Sequence, residues 1–451
     1  MYASRIHRAA LVVLLGLALL FALVPVARAD SAGDALYAKV QKSLGAVNTA
    51  TYQLTLQNRV GSKMRPKEVI QCKTTREGKL YLKWTGDANK NRELIYKPGW
   101  NNDKLWVKEG GALDFAAVAV AFDDPIVKSD YVRSLDVLIF DRLAKVIAEW
   151  KSAGVATVEP DGQTLRITAS GQGVSLITPD AAGLPTKIVV KDAKDQIVEE
   201  YVISSMNASA QLGDADFDVK NAAYGFPGFS SDGIHIDAER MKATLDKKYG
   251  AANHYTCRME KKERIAGKLQ EKQTMEVKFR KPGDIYMKWA KGPHEGRQML
   301  YRVGKDDKIT VKEAGILGIA TVKIDPNGSL VKADTNHPLT ELDMGFTIGM
   351  IYQQLSKGQK NGDIKLKFKG VENIGGKPAY VVESWFQNAE TQGYYAPHSI
   401  NWHDKATGLP VKTASFEANG DLREEFLWTN IKFNPGLTDA DWDPANPEYG
   451  F

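Results

Sequence analysis

Two stretches of alternating carboxylates are the first residues in this chain whose spacing could do chemistry. Aspartate occupies every second position in residues 214–218 and again in residues 439–443, as it does at the start of a calcium-binding loop. Such a loop needs glycine at its sixth position and glutamate at its twelfth, which in the first stretch are Val219 and Gly225. The second stretch lacks both residues as well. Because aspartate beside asparagine and proline commonly forms turns, we predict turns here and no metal site.

Histidine and serine patterns give no catalytic signal. The histidines of the second half are scattered, without a His-Glu-x-x-His or Cys-x-x-Cys motif, and this scatter predicts surface positions. The chain also lacks a Gly-x-Ser-x-Gly elbow, a Ser-x-x-Lys set and a glycine-rich phosphate loop. We therefore predict no catalytic residue, no metal and no cofactor, which favours a binding protein over an enzyme. The histidines in question are His235, His254, His294, His337, His398 and His403.

Aromatic, methionine and aliphatic side chains are the candidates for a binding site. They recur on one face of the predicted strands, and such residues form adaptable linings for apolar ligands. An ordinary core between sheet and helix explains the same pattern, so both interpretations stay open. Arg92 and Arg297, at matched positions beside Trp84 and Trp289, are candidates for a latch to the covering segment, with a surface salt bridge as the alternative. The candidate lining residues are Leu80, Leu82, Trp84, Tyr96, Ile285, Met287, Trp289, Met299, Tyr301, Leu317 and Ile319.

An internal repeat supplies the elements that position these residues. Residues 212–226 return as residues 437–451, an offset of 437 − 212 = 225, with 9 of 15 positions identical. Upstream the offset is smaller, as between Trp84 and Trp289 (289 − 84 = 205). Two copies of one unit explain the pattern, with an insertion of roughly 21 residues in the second copy. We place the copies at residues 30–229 and 230–451.

Each copy is predicted to begin with one amphipathic helix. Leu36, Val40 and Leu44 recur at helical spacing in the first copy, and the second copy has the same pattern from residue 241 to 249. Asp34 and Asp237 stand where an N-cap would accept a free backbone N–H of the first turn. Beyond each helix the apolar residues alternate with period two, as in five strands of an antiparallel meander.

A covering layer is needed because one face of each predicted sheet is continuously apolar. The short apolar runs at residues 113–122 and 316–324 are candidates for it. Helices are predicted to follow at residues 131–150 and about 339–355, and further strands after them. The predicted fold class is therefore α+β, mainly β. It consists of two tandem domains, each a curved antiparallel half-barrel sheet with helices covering its hollow.

The first residues predict export. Arg5 and Arg8 precede an apolar run at residues 9–26, and Ala27 and Ala29 place small residues at the positions that a signal peptidase reads. We predict a signal peptide at residues 1–29, cleavage after Ala29, a periplasmic location and no transmembrane segment in the mature chain. An uncleaved membrane anchor is the alternative.

The charge balance excludes one class of binding protein, and the two cysteines allow two interpretations. Lysine and arginine number 60 and the acidic residues 55, so the chain lacks the charge excess of a nucleic-acid binder. Cys72 and Cys257 occupy non-equivalent positions of the two copies. They either bridge the copies or are small buried apolar residues.

The second copy resembles a known family in several runs of sequence. These are residues 255–261 (YTCRMEK), 263–268 (ERIAGK), 285–289 (IYMKW), 295–297 (EGR), 408–410 (GLP) and 437–451. Across residues 234–451 they closely resemble an exported bacterial family of unknown function, generally placed with the LolA-like outer-membrane lipoprotein-sorting carriers. Residues 34–226 match more loosely and lack the Glu-Gly-Arg run.

The resemblance implies a half-open antiparallel barrel whose hollow, closed by helices, holds acyl chains. The implied partner is a lipid or an acylated lipoprotein. LolA-like folds also serve as sensors that bind proteins. The alternative is therefore an envelope protein-interaction module with no ligand cavity.

Overall fold

The computed structural model describes residues 31–451 except 170, 172, 315–320 and 333–334. The predicted signal peptide and the candidate lining residues Leu317 and Ile319 lie outside the described residues. As predicted, the chain forms two tandem domains, each a curved and open antiparallel sheet with few helices. No helix of the described part is long and apolar enough to cross a membrane.

Domain 1 contains the first sheet, with three helices among its strands. The helices are α1 (Ser31–Ala46), α2 (Pro125–Lys128) and α3 (Phe140–Ala153). The strands before α2 are β1 (Thr49–Val60), β2 (Lys63–Met64), β3 (Glu68–Thr75), β4 (Leu80–Trp84), β5 (Glu93–Tyr96), β6 (Leu105–Lys108) and β7 (Ala116–Val120). Those after α3 are β8 (Gly154–Val158), β9 (Leu165–Ala169), β10 (Gly173–Pro179), β11 (Pro185–Lys191), β12 (Ile197–Asn207) and β13 (Ile234–Ile236).

Domain 2 repeats this order from its first helix onward. The helices are α4 (Ala238–Gly250), α5 (Ser329–Lys332), α6 (Met344–Asn361) and α7 (Ala389–Gln392). The strands before α5 are β14 (His254–Ile265), β15 (Lys268–Leu269), β16 (Gln273–Arg280), β17 (Asp284–Lys291), β18 (Gln298–Tyr301), β19 (Ile309–Lys312) and β20 (Thr321–Ile324). The remaining strands are β21 (Ile364–Ile374), β22 (Lys377–Phe386), β23 (His398–Asp404), β24 (Pro410–Phe416) and β25 (Leu422–Phe433).

The two sheets have the same strand order. The first runs β13-β7-β6-β5-β4-β3-β1-β12-β11-β10-β9-β8, and the second runs β20-β19-β18-β17-β16-β14-β25-β24-β23-β22-β21. In each, the first long strand pairs with the last long strand of its repeat, β1 with β12 and β14 with β25. The difference lies at one edge, where β13 adds to the first sheet. This strand follows the boundary predicted between residues 229 and 230.

Helices cover the apolar face of each sheet. Val40 and Leu44 of α1 and Ile147 of α3 are buried in the same cluster as the strand residues of β4. The cap prediction holds for Asp237, whose side chain accepts from the backbone N–H of Arg240 at 3.0 Å. It fails for Asp34, because α1 already begins at Ser31 and places Asp34 in its first turn.

The covering runs differ from the prediction because they continue the sheet. Residues 116–120 form β7, which pairs with β6, and residues 321–324 form β20, which pairs with β19. Extended backbone at this point satisfies its N–H and C=O groups by joining the neighbouring strand. The covering layer is therefore formed by the segments that follow β7 and β20 together with the helices after them, which begin later than predicted, at Phe140 and Met344.

The repeated carboxylate stretches form short turns of helix that fasten a tail to the outer face of each sheet. In domain 1, Asp216 pairs with Lys73 at 2.7 Å, and Tyr224 stacks on Tyr81 with ring centroids 3.9 Å apart. Domain 2 repeats this arrangement, with Asp441 on Lys278 and Tyr449 on Tyr286. Asp216 and Asp441 therefore face lysine side chains. Both cysteines are free and buried.

Candidate functional site

Domain 2 contains a cavity of about 230 Å³ between its sheet and the segment that follows β20. Met287 and Trp289 reach it from β17, because alternate residues of that strand point inward, and Met299 reaches it from β18. Arg297 also lies on its wall. Ile285 and Tyr301 belong to the adjoining core and do not line the cavity. The lining is completed by Lys261, Gln273, Ile309, Val311, Glu313, Val322, Ile324, Val331, Thr335, His337, Leu339 and Leu342.

One side of the cavity carries paired polar groups. The indole N–H of Trp289 donates to Gln273 Oε1 at 2.8 Å. The Arg297 guanidinium lies 5.5 Å from the Trp289 ring centroid and makes a two-point contact with Glu313, at 2.8 and 3.0 Å. These contacts fix the indole so that its apolar face forms part of the cavity wall.

A buried group of ionisable side chains lies next to this cavity. His337 Nδ1 is 2.9 Å from Glu341 Oε2, and its Nε2 is 3.0 Å from Glu424 Oε2. Tyr395 donates to the same Glu424 oxygen at 2.6 Å. Lys261 pairs with Glu263 at 2.6 Å, and both side chains are nearly inaccessible to solvent. Buried charges require such partners, because desolvation is otherwise too costly.

His337 carries a proton in this environment at neutral pH. Burial opposes the charged imidazolium, but the hydrogen bond and the charge of Glu424, followed by Glu341, outweigh it and raise the pKa of His337 to about 9. The ligand atoms of Glu263, His337 and Glu424 lie within 4.8 Å of one another, which is close enough to hold a metal ion. The Lys261 ammonium and the His337 imidazolium already balance these carboxylates.

The hollow of domain 1 is filled. Leu80, Leu82 and Trp84 are fully buried in its core and Tyr96 nearly so. The reason lies in the segment after β7. Tyr131 reaches inward and donates to Glu68 at 2.7 Å, on the same carboxylate oxygen that accepts from the indole of Trp84.

Arg92 fills the remaining space of that hollow. Its fully buried guanidinium donates to the carbonyl of Ile126 in α2 at 3.0 Å and pairs with Glu109 at 3.4 Å. Arg92 thus contacts the segment after β7. The corresponding Arg297 pairs with Glu313 at 2.8 Å and lies on the wall of the domain 2 cavity.

The prediction of surface histidines is wrong for His337 and His403, which are 5% and 3% exposed. His403 is held by a hydrogen bond between its Nδ1 and the carbonyl of Gly408 at 2.9 Å. The sequence did carry a signal for the ionisable cluster, because Glu424 repeats Glu199 at the offset of 225. In domain 1, Glu199 pairs with Arg133 at 2.6 Å, so His337 takes the place of an arginine that lies 204 residues earlier.

Comparisons with known proteins give low-identity structural neighbours. An outer-membrane lipoprotein-sorting protein domain from Vibrio parahaemolyticus is 13% identical to this chain. The match covers 46% of this chain and 97% of that domain, with a TM-score of 0.24. A LolA superfamily protein from Nitrosomonas europaea is 9% identical, with coverages of 46% and 98% and a TM-score of 0.23. The Pseudomonas aeruginosa MucA/MucB complex is 11% identical, with coverages of 67% and 96% and a TM-score of 0.23.

A search of curated protein sequences finds no match. A family model described as a protein of unknown function, DUF1571, matches residues 47–165 and 252–451, one region in each repeat. This match confirms the resemblance to a family of unknown function that the sequence indicated. Since the two regions cover well over half of the residues, the chain belongs to the DUF1571 family.

Proposed function

We propose that this protein is a non-enzymatic periplasmic carrier that binds a lipid, or the acyl chain of a lipoprotein, in the hollow of domain 2. The observation that carries the proposal is the contrast between the two hollows. In domain 2 the strands β17 to β20 line a cavity of about 230 Å³, whereas the counterparts of their lining residues in domain 1, Leu82, Trp84 and Val107, are fully buried. The open hollow has a wall of methionine, tryptophan and aliphatic side chains, which adapt to flexible apolar ligands.

The size of the cavity fits one part of an acyl chain. It corresponds to the volume of about eight water molecules and lies just below the ~300–1,000 Å³ of most ligand pockets. Longer chains require its outer wall to move. That wall is the short edge strand β20, whose Val322 and Ile324 line the cavity.

The polar groups give the site an orientation. Arg297, Lys261 and His337 all line the cavity, so a bound amphiphile keeps its apolar part against Met287 and Met299 and its polar part toward these cations. No step of bond making or breaking is part of the proposal. Residues 1–29 serve as the cleaved signal peptide that delivers the mature chain to the periplasm.

A protein-interaction role without a ligand cavity is the second candidate, and the filled hollow of domain 1 favours it for that half of the chain. Leu82, Trp84 and Arg92 are fully buried there. In this scheme domain 1 does not bind lipid. It binds a partner protein or holds domain 2 in position.

The experiment is native mass spectrometry of the mature protein, purified from its own envelope without detergent and then extracted with organic solvent. Discrete added masses that extract as lipid, at one per chain, are the expected result. Two per chain would contradict the assignment to domain 2 alone. A clean apo mass that also stays unchanged with added lipids would refute the carrier and leave the protein-interaction role.

A further inference from the structure

The sheet edges beside the two hollows are built from equivalent strands. In domain 1 the ladder between β6 and β7 pairs Leu105 with Val120. In domain 2 the ladder between β19 and β20 pairs Ile309 with Ile324. Each residue of the pair in domain 2 lies 204 positions after its counterpart in domain 1 (309 − 105 = 204 and 324 − 120 = 204). The two ladders therefore have one register, and positions along β7 and β20 correspond at this offset.

A third strand covers this edge in domain 1. The strand β13 runs antiparallel to β7, with Ile234 opposite Val118. The carbonyl of Gly233 accepts from the backbone N–H of Ala119 at 2.8 Å. Ile234 and Ile236 are buried in the core, and Val118 is only 2% exposed. The covering strand thus satisfies the edge backbone and shields the apolar side chain beneath it.

The equivalent edge of domain 2 has no such cover within the described residues, where β20 is the last strand of its sheet. Val322, the counterpart of Val118, is 46% exposed. Lys323 is the counterpart of Ala119, so the shared register directs its backbone N–H to the outer edge. An exposed edge with an apolar side chain and free backbone groups is a template for another strand.

We infer that the outer edge of β20 binds an extended segment of a partner protein, which pairs with it as β13 pairs with β7. The segment is antiparallel to β20 and carries apolar side chains at alternate positions, as Ile234 and Ile236 do in β13. An acidic residue of the partner fits opposite Lys323, because opposite charges across a ladder are favourable. This inference does not rest on the binding of an acyl chain.

A partner of different sequence fits this edge better than a second copy of the chain. Pairing two β20 strands would bring the Lys323 side chains of both copies onto one short ladder, and like charges there are destabilising. Lysine on an edge strand is a common device against such self-pairing. An acidic partner segment converts the same lysine into an attractive contact.

The test uses a fluorescent synthetic peptide with the sequence of residues 230–237, SSDGIHID, and the full mature chain. Fluorescence anisotropy measures its binding to the unchanged protein and to Lys323→Pro and Lys323→Ala. Proline removes the outward N–H and is tolerated at edge positions whose N–H faces solvent. We expect Lys323→Pro to weaken binding about tenfold. Lys323→Ala should change it by no more than about twofold, because this register places Gly233 of the peptide, and no acidic residue, opposite Lys323.

Hydrogen exchange on the unchanged protein gives a readout that does not depend on a variant. The peptide should slow exchange of the amides of Thr321 and Lys323. Absence of binding, absence of this protection, or equal weakening in both Lys323 variants would overturn the inference. If the protein forms a dimer and Lys323→Pro dissociates it, the edge binds a second copy of this chain. That result would overturn the inference of a partner with a different sequence. A peptide with Ile234→Asp and Ile236→Asp should fail to bind, and its equal binding would refute the alternating contact.

Discussion

Trp84 and Trp289 occupy equivalent positions in the two domains, and each donates its indole N–H to the side chain on the neighbouring strand. The acceptor is Glu68 at 2.7 Å in domain 1 and Gln273 at 2.8 Å in domain 2. Only Trp289 faces an open cavity, because Tyr131 fills the corresponding space beside Trp84 by donating to Glu68. The two repeats thus share one hydrogen-bond arrangement and differ in what occupies the hollow.

Charged residues in the cavity wall should abolish lipid uptake. In the double variant Met287→Glu, Trp289→Glu we expect at least about a tenfold loss of affinity for dansyl-labelled undecanoic acid, because an apolar chain cannot solvate a buried carboxylate. Lys288→Glu is the matched control, since Lys288 is exposed on the opposite face of the same strand. Circular dichroism checks that the strands persist. Equal uptake by the folded double variant and the control would remove the cavity from the binding site.

Truncation in the filled hollow should cost stability and leave uptake unchanged. Leu82→Ala removes a fully buried side chain, and we expect a loss of about 2–5 kcal/mol in unfolding free energy. Lys83→Ala, on the other face of β4, should cost less than about 1 kcal/mol. Denaturant titration measures the stabilities, and the dansyl probe measures uptake. A loss of bound probe in folded Leu82→Ala would show that domain 1 takes part in binding.

The stability of the protein should fall between about pH 6.5 and pH 9 because of His337. Its pKa is raised from 6.5 to about 9 by Glu424 and Glu341 against the opposing effect of burial. A group whose pKa is higher in the folded than in the unfolded protein stabilises the folded state fully at pH values below its unfolded-state pKa. That stabilisation is lost as the pH rises through its folded-state pKa. The difference between the two pKa values of His337 corresponds to about 3 kcal/mol of unfolding free energy.

Comparison of unfolding free energies at pH 6 and pH 9 in the wild type and in His337→Gln tests this dependence. The variant should show a shallower decline. NMR titration of the imidazole should give a lower midpoint in Glu424→Gln, which removes the main partner of His337. The same slope in His337→Gln as in the wild type would contradict the assignment.

The sequence predicts much of the fold because strand periodicity is a local property. The alternation of Leu80, Leu82 and Trp84 on β4, and of Met287 and Trp289 on β17, indicated which side chains face inward, and the structure places them inward. The repeat also indicated that both domains share one architecture. These signals need only the neighbouring residues of one strand, so no knowledge of distant contacts is required.

The candidate site was less predictable because long-range contacts decide it. Nothing near Trp84 in the sequence indicates that Tyr131 fills its hollow from a segment 47 residues away (131 − 84 = 47). His337 and Glu424 are likewise 87 residues apart, and their burial depends on the packing of α6 against the sheet. Periodicity identifies which face a residue is on. It does not determine whether the space on that face is filled.

A buried carboxylate at the boundary of the domains should be among the most important groups for stability. Glu109 accepts a hydrogen bond from the hydroxyl of Tyr380 in domain 2 and pairs with Arg92 at 3.4 Å and Lys405 at 3.9 Å. Burial opposes the charge of Glu109, but the charges of Arg92 and Lys405 and the hydrogen bond from Tyr380 together outweigh it and lower the pKa of that carboxyl. Glu109→Ala leaves the fully buried guanidinium of Arg92 without its carboxylate, at a cost of about 3–5 kcal/mol.

The control for this variant is Glu425→Ala, which removes a partly exposed partner of Lys412 and should cost no more than about 1 kcal/mol. Glu109 is one of the polar contacts between the domains, beside the ion pair of Arg240 with Asp114 at 2.9 Å. The loss of Glu109 should weaken their coupling and separate thermal unfolding into two transitions. Differential scanning calorimetry measures both effects. If Glu109→Ala unfolds in one transition with a stability like that of Glu425→Ala, then the apolar contacts between the domains, and not this ion pair, couple them.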